Sequence, residues 1–333
     1  SSTDPIRSGL ALLGERDFAR LFGARLTSAF GSAMAPIAVA FGVLDLTDSA
    51  REVGIVVSAQ IIAQVAFQLL GGALADRGSR QGMMVGADLL AMASQAAIAG
   101  LFLSGTATVP LLIVLMAANG LAFAMHTPAM VGVIPQVVDR SKLQAANSLL
   151  GVAQSGAFAV GAATAGVLVA TLGAGWAMAV DSTTFAISAL LIAALRPRPQ
   201  ARSQPTTLIR DLREGWREFT AHRWLWAIVV QFSLVVAAHE GVFAVVGPTV
   251  AKRQLGGPSD WGFIAGAFGV GTVCGALLSL RLHVQRPMLV ASLLVFSFSL
   301  PALLLSGPAP VGVIALGAFV HGVCGQLFAV LWY

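Results

Sequence analysis

Long apolar runs separated by short polar turns dominate the 333-residue chain. A helix needs about 20 apolar residues to cross the hydrocarbon of a bilayer, and lipid offers no partner for unpaired backbone groups. The pattern therefore predicts ten membrane-spanning helices, numbered here spans 1–10 in chain order. They cover residues 18–44, 53–75, 83–103, 111–133, 145–172, 176–195, 225–250, 261–280, 288–305 and 311–331.

The longest polar stretch, residues 196–222, separates six spans from four. It opens with Arg-Pro-Arg-Pro, a sequence that cannot continue a helix. Further on, apolar side chains fall on one helical face and charges on the other, which predicts an amphipathic helix on the cytoplasmic leaflet. We therefore expect a six-span N-terminal half at residues 1–195, a cytoplasmic linker at 196–223, and a C-terminal half of about four spans at 224–333.

A short internal repeat fits this division. Gly-Ala-Leu occurs at residues 72–74 and again at 275–277, each time in the turn after the second span of its half. Repeated halves are common in transporters.

Basic residues predict the orientation of the spans. If the N-terminus is cytoplasmic, 17 of the 20 Lys and Arg residues fall on the cytoplasmic side. Only Arg51, Lys252 and Arg253 fall outside. This positive-inside bias predicts a multi-pass protein of the inner, cytoplasmic membrane.

Composition excludes a soluble domain. The chain is 57% hydrophobic and 11% charged, whereas a soluble surface needs about 25% charged residues. The net charge of +5 is explained by topology rather than by nucleic-acid binding. Cys274 and Cys324 both lie inside apolar runs, so neither a disulfide framework nor a metal-ligand cluster is indicated.

The turn after span 2, residues 72–81, reads GALADRGSRQ. It resembles the signature G-x-x-x-D-R-x-G-R-R of the major facilitator superfamily. Ser79 and Gln81 replace the second Gly and the last Arg, and the matching positions are Gly72, Asp76, Arg77 and Arg80. Such charges can pair with each other and with a helix terminus, and so gate one conformation of a rocking bundle. The alternative is a short loop that merely follows the positive-inside rule.

Other segments resemble the enterobactin-exporter-like, drug-efflux branch of that superfamily. They are residues 44–47, 128–149 and 181–185. Span 5 departs from the antiporter motif of such exporters, because Ala162 stands where Pro is usual. Its regular glycines still predict a smooth packing face, formed by Gly151, Gly156, Gly161 and Gly166. The superfamily has twelve spans, so we expect this chain to be a truncated copy that lacks the last two.

Ionisable residues inside spans are the first functional candidates. Glu240 is the leading candidate for proton coupling, because we expect Ala238, Val242 and Phe243 to surround it with apolar side chains. Asp181 and Asp88 are the other two candidates. Asp88 has a structural alternative, since we expect it to be satisfied by the turn at Arg77 and Arg80 or by Arg25.

Four further residues are possible cavity or substrate contacts: Arg25, Asn119, His126 and His239. Each has a structural alternative. Arg25 can extend to the cytoplasmic face. His126 and His321 can serve as hydrogen-bonding groups between helices, as can Asn119 and Gln154.

Enzyme motifs are missing from the sequence. It contains neither a Gly-x-x-x-x-Gly-Lys-Ser/Thr loop nor His-Glu-x-x-His, so we expect no enzyme activity and no cofactor or metal. The fold expected is an all-α membrane protein, a helical bundle of two pseudo-repeated halves.

The resemblance implies a secondary transporter that exports small amphipathic compounds, such as a drug, siderophore or metabolite, by proton antiport with alternating access. The partners implied are the substrate, protons and the lipid bilayer, with no nucleic acid, and the protein is expected to be a monomer. Uptake or facilitated diffusion remains an alternative. A non-transporting membrane sensor or assembly partner is another.

Overall fold

The computed structural model describes residues 11–198, 216–279 and 284–332. Within these ranges the side chains of residues 69, 73–77, 223–225, 227, 287 and 332 are not part of the description. The described chain contains ten helices that are long and apolar enough to cross a membrane, and it contains no strand. The ten-span, all-α prediction is therefore confirmed.

The helices have these bounds. In the first half they are Arg16–Ser32 and Ala35–Thr47 (span 1), Ala50–Arg77 (span 2), Arg80–Ser104 (span 3), Val109–Val137 (span 4), Leu143–Leu172 (span 5) and Ala174–Ala193 (span 6). In the second half they are Arg223–Gly241, Val242–Val246 and Gly247–Gln254 (span 7), Pro258–Ser279 (span 8), Pro287–Leu294, Val295–Ser299 and Leu300–Leu305 (span 9), and Val311–Trp332 (span 10).

Prolines account for the three interrupted spans. Proline has no N–H, so the carbonyl four residues earlier loses its helical partner. Span 1 breaks just before Pro36, between Ser32 and Ala35. Span 7 widens into a π-helix before Pro248, and span 9 tightens into a 3₁₀-helix before Pro301.

The spans form two groups. In the first half, span 1 packs on spans 5 and 6, span 2 on span 4, and span 3 on spans 4 and 6. In the second half, span 10 packs on spans 8 and 9. Contact between spans 5 and 8 joins the groups. The domain boundaries at residues 195 and 223 stay predictions, and most of the predicted amphipathic helix lies outside the described residues.

The two halves meet at one end of the bundle, called here the closed end. The largest buried cluster contains residues of both halves at this end, among them Phe41 and Leu44 of span 1 with Ala251, Trp261 and Ile264. All five are at most 2% exposed. Apolar burial across this interface therefore holds the halves together.

Ion pairs also cross the closed end. Lys252 Nζ lies 2.9 Å from Asp45 Oδ1 and donates a hydrogen bond of 2.7 Å to the carbonyl of Leu44. Arg253 donates to the carbonyl of Asp48 at 3.1 Å, and its guanidinium lies 3.9 Å from Asp48 Oδ1. Two of the three basic residues that the sequence assigns to the outer side thus connect span 7 to span 1.

Small residues let spans 5 and 8 approach closely. A Cβ added to Gly166 would lie 2.7 Å from Gly262 Cα, and one added to Gly269 would lie 2.5 Å from Ala159 Cα. Beyond these contacts the rings of Phe158 and Phe268 meet edge to face, with centroids 6.1 Å apart. Further toward the opposite end a cavity separates the halves.

That opposite end, called here the basic end, carries charged contacts within the first half. Lys142 Nζ lies 2.8 Å from Glu15 Oε1, which ties span 5 to the chain before span 1. Arg198, just after span 6, donates a hydrogen bond to Asp139. This guanidinium holds the pKa of the Asp139 carboxyl below its ordinary value.

Candidate functional site

A cavity of about 410 Å³ lies between the two halves, and we call it the inter-half cavity. Spans 1, 5, 8 and 10 line it. Its polar side chains are Ser32, Gln154, Ser155, Thr272 and Gln326, and its aromatic walls are Phe158 and Phe268. The cavity therefore combines hydrogen-bonding groups with apolar surface, as binding sites for organic molecules do.

A second cavity of about 220 Å³, called here the polar cavity, lies inside the first half. Arg25, Asp88, His126 and Gln154 are among its lining residues. Ala29, Ser32 and Gln154 line both cavities. The two are therefore neighbours that share one wall.

Asp88 lies at the centre of a hydrogen-bonded group in the polar cavity. Ser188 Oγ donates to its Oδ2 at 2.6 Å, and His126 Nε2 lies 3.5 Å from its Oδ1. Its side chain is 2% exposed. These two contacts come from spans 4 and 6, and the side chain of Arg77, one of the expected partners, lies outside the described part of the structure. Asp88 lies about two turns into span 3, on the side of that helix that packs against spans 4 and 6.

The alternative for Arg25 is a side chain that extends to the cytoplasmic face. In the structure it does not extend to the basic end. It crosses to span 5, where its guanidinium donates to Gln154 Oε1 at 2.7 Å. Arg25 and His126 both line the polar cavity. The polar cavity thus brings together two of the expected contact residues, Arg25 and His126, and one proton-coupling candidate, Asp88.

Asp181 lies elsewhere in the first half and lines neither of these cavities. It is completely buried, and Gln95 Nε2 donates to its Oδ2 at 2.8 Å. A Cβ on Gly31 would lie 2.5 Å from Asp181 Oδ1, so the glycine lets span 1 approach this pair. The position favours a contact between helices.

Glu240 lies outside both cavities. Its residue is exposed in the described chain, and it lines neither the inter-half nor the polar cavity, so its proton-coupling role stays a prediction. The neighbouring residue His239 points about 100° away around the helix. The helix rotation that brings His239 inside therefore turns Glu240 outward.

His239 lies in an aromatic cluster of the second half. Its ring centroid is 4.8 Å from that of His321 and 4.7 Å from that of Phe243. His239 lines a separate, largely apolar cavity of about 650 Å³ with spans 9 and 10. His321 is buried, with Nδ1 3.4 Å from Ser297 Oγ, which agrees with a role between helices.

Asn119 is buried between spans 2 and 4. It accepts a hydrogen bond of 3.1 Å from Gln60 Nε2, and it lines neither the inter-half nor the polar cavity. This placement matches the alternative of a polar contact between helices.

The four glycines of span 5 are not equivalent. A Cβ on Gly161 would meet the backbone of Phe30, and one on Gly166 would meet the backbone of Gly262. Gly151 and Gly156 depart from the expected packing face, since a Cβ at either would meet nothing within 4 Å. The reason is that span 5 leaves span 8 toward the basic end, where Gly151 lines the inter-half cavity.

In the turn after span 2, the two departures from the signature make local contacts. Ser79 caps span 3, since its Oγ accepts from the Gly82 N–H at 3.1 Å. The Gln81 side-chain amide lies within hydrogen-bond distance of three carbonyls at the end of span 6, those of Ile192, Ala193 and Leu195.

Arg80 of the same turn donates to the carbonyl of Gly132 in span 4 at 2.8 Å. Gly72 lies in span 2, where a Cβ would meet nothing within 4 Å. The side chains of Asp76 and Arg77 lie outside the described part of the structure, so the gating role of the turn stays a prediction.

Sequence reasoning missed most of the inter-half cavity and the ion pairs of the closed end. Thr272 and Gln326 are polar residues with apolar neighbours in spans 8 and 10, and this was the available signal. Lys252 and Arg253 carried a second signal, since they are exceptions to the positive-inside bias.

Comparison with known proteins identifies the family to which this chain is similar. The sequence profile of the transmembrane secretion effector family matches residues 7–327. Macrolide efflux protein A of Streptococcus pyogenes is 23% identical over 312 residues, which are 92% of this chain and 76% of that protein.

Two further relatives are exporters by name. The multidrug efflux pump Tap of Mycobacterium tuberculosis is 31% identical over 206 residues, 58% of this chain and 48% of the pump. The enterobactin exporter EntS of Shigella boydii is 28% identical over 281 residues, 82% of this chain and 65% of the exporter.

Solved structures agree on the fold. The nucleoside transporter NupG superposes with a TM-score of 0.69 at 13% identity, covering 95% of this chain and 80% of that one. A D-xylose-proton symporter gives 0.65 at 13% identity, covering 96% and 82%. These proteins are transporters and not enzymes. The chain is a multi-pass membrane protein that belongs to the transmembrane secretion effector family of the major facilitator superfamily.

Proposed function

We propose that this protein exports small amphipathic compounds, such as a drug, siderophore or metabolite, in exchange for protons. It works by alternating access in the cytoplasmic membrane, with its N-terminus in the cytoplasm and its closed end outside. The observation that carries the proposal is the contact between the buried Asp88 and the partly buried His126, which line a cavity beside the inter-half cavity. Buried ionisable groups inside a membrane are costly, so they mark ion and proton pathways.

The direction of transport is supported by the relatives, which are efflux proteins by name. The substrate class is supported by the inter-half cavity, where amide and hydroxyl groups face two phenylalanine rings. Such a wall suits a molecule with both apolar and hydrogen-bonding parts.

Among the three carboxyl candidates, Asp88 is the best placed to exchange a proton. It lines a cavity and has a histidine 3.5 Å away. Asp181 lines neither this cavity nor the inter-half cavity, and Glu240 is exposed on another face of the bundle. The turn with Gly72, Asp76, Arg77 and Arg80 gates the basic end in this scheme.

The test is transport in cells without pumps of their own. The full-length gene is expressed, and accumulation of erythromycin, rhodamine 6G and fluorescein is measured with and without a proton uncoupler. We expect lower accumulation of at least one compound, reversed by the uncoupler. Asp88→Asn should abolish this uncoupler-sensitive component, because asparagine cannot release a proton.

Glu240→Gln is the matched control, since it makes the same carboxyl-to-amide change in a span but outside the two cavities. It should transport as the unaltered protein does. If Glu240→Gln lost transport while Asp88→Asn transported normally, the proton-coupling residue would be Glu240 in span 7 and not Asp88. Unchanged accumulation of all three compounds would reject export for this panel.

Uptake is the second candidate, because the two superposed structures include a proton symporter with the same fold. Fold does not determine direction. The same assay separates the two, since uptake raises accumulation where export lowers it.

A further inference from the structure

Gln154 is one of three residues that line both the inter-half cavity and the polar cavity, and it has the longest polar side chain of the three. Gln154 is exposed, and its side chain borders the open space of both cavities. Its Oε1 accepts the hydrogen bond of Arg25 at 2.7 Å. A molecule in the inter-half cavity can therefore reach the group that holds Arg25 in place.

Arg25 is held by an amide rather than by a carboxylate. Of the residues that line the two cavities, it is the only Arg or Lys. Its guanidinium contacts the neutral side chain of Gln154. A guanidinium has five donors in a planar fork that matches a carboxylate, so Arg25 has the capacity to bind one.

Asp88 is the carboxyl group in the same cavity. The groups that face it are His126 from span 4 and Ser188 from span 6, with Arg25 on the span 1 wall. An ionised carboxylate inside a span needs a counter-charge. Rotation of the Arg25 side chain away from Gln154 and toward Asp88 would supply it.

We propose that Gln154 couples substrate binding to proton release. A substrate donor that takes Gln154 Oε1 frees Arg25, which turns to Asp88 and stabilises its ionised form. The O–H bond of Asp88 breaks, its proton leaves through the cavity to water, and Arg25 stays charged throughout. This inference rests on the proposed exchange of substrate for protons. In such an exchange the binding of substrate must promote the release of a proton, and the movement of Arg25 toward Asp88 has that effect.

The mechanism also restricts the substrate. Gln154 Oε1 is an acceptor, so the substrate group that competes with Arg25 must be a hydrogen-bond donor, such as a hydroxyl or an ammonium group. The apolar part of the molecule then lies against Phe158 and Phe268. Compounds without a donor bind without releasing the proton.

The experiment measures protons released when a compound binds to purified protein in weakly buffered detergent. The probe is the member of the cell panel with the largest uncoupler-sensitive efflux. The unaltered protein should release protons on binding. In Gln154→Leu the probe should still bind, but the release of protons per bound probe should be lost, because Arg25 is already free before the probe binds.

Gln326→Leu is the matched control. It removes the same amide from the opposite wall of the inter-half cavity, away from Arg25. It should weaken binding and leave the protons released per bound probe unchanged. Gln154→Glu should instead hold Arg25 in an ion pair, fold normally and lose export.

Outcomes separate this inference from the proposed function. If Gln154→Leu releases as many protons per bound probe as the unaltered protein, Gln154 is not the coupling residue, and the proton exchange itself stands. If the unaltered protein binds the probe without releasing protons, or if no panel compound is exported, the exchange fails and the Gln154 mechanism fails with it.

Discussion

Asp181 and Gln95 form a polar pair between spans 3 and 6, in a region that neither of the two cavities reaches. Gln95 Nε2 donates to Asp181, yet Gln95 Oε1 is buried with no hydrogen-bond partner. An acceptor buried without a donor costs about 1–3 kcal/mol. The pair therefore needs a donor on the Asp181 side.

Substitution of Asp181 tests this interpretation. Asparagine has an N–H₂ group that can donate to Gln95 Oε1, so Asp181→Asn should keep or raise the melting temperature in detergent. Asp181→Leu leaves both polar groups of Gln95 unpaired and should lower stability by about 1–3 kcal/mol. If Asp181→Asn instead abolished proton-coupled transport while Asp88→Asn did not, Asp181 would be the coupling site.

At the scale of single residues, the sequence indicated chemical type but not partners. It marked Asp88, Arg25 and His126 as intramembrane ionisable groups. Ser188, which donates to Asp88, and Gln154, which binds Arg25, are uncharged and lie in other spans. No local pattern distinguishes them from polar residues that face another helix.

At the scale of helices, close approach of spans 5 and 8 closes one end of the bundle. Glycine spacing in span 5 predicted a packing face, but the spacing is regular while the contact is not. Spans 5 and 8 touch at Gly166 and separate before Gly151. The crossing of the two helices decides which glycines are in contact.

Two alanine substitutions in span 5 should have opposite effects. Gly166→Ala places a Cβ 2.7 Å from Gly262 Cα, and overpacking of this kind costs about 1–3 kcal/mol. Gly156→Ala meets open space, and replacing a helical glycine stabilises by about 0.5–1 kcal/mol. Melting temperatures in detergent should therefore fall for the first variant and rise for the second. Equal shifts would contradict the contact described here.

At the scale of the whole molecule, the structure is closed at the end that carries Lys252 and Arg253. Apolar burial and two ion pairs hold spans 1 and 7 together there. Exposed ion pairs are worth about 0.2–1 kcal/mol each. The two ion pairs can therefore shift the equilibrium between closed and open states, but the apolar burial at the same end also contributes to it.

Thiol labelling can measure that balance. Ser155 lines the inter-half cavity, so Ser155→Cys is combined with Cys274→Ser and Cys324→Ser and treated with a membrane-impermeant maleimide. Labelling should proceed from the basic end. Adding Lys252→Ala and Arg253→Ala should increase labelling from the closed end by up to about thirtyfold, the factor that corresponds to the loss of two ion pairs of up to about 1 kcal/mol each.

Arg51→Ala is the matched control, because it removes a basic residue near the same end without breaking either pair between the halves. It should leave the labelling pattern unchanged. Equal labelling from the closed end in all three proteins would show that the ion pairs do not contribute to closure.

The sequence by itself determined the class of protein, the ten spans and the family, because run length, charge alternation and the turn after span 2 are local properties. Tertiary structure decided which faces meet: that Arg25 reaches Gln154, that Asp88 faces spans 4 and 6, and that Glu240 turns outward. The physical reason is that lipid and the protein interior are similarly apolar. When a span is hydrophobic on every side, its sequence does not indicate which face is turned toward the other helices. Only the packing of the helices therefore shows which residues share a cavity.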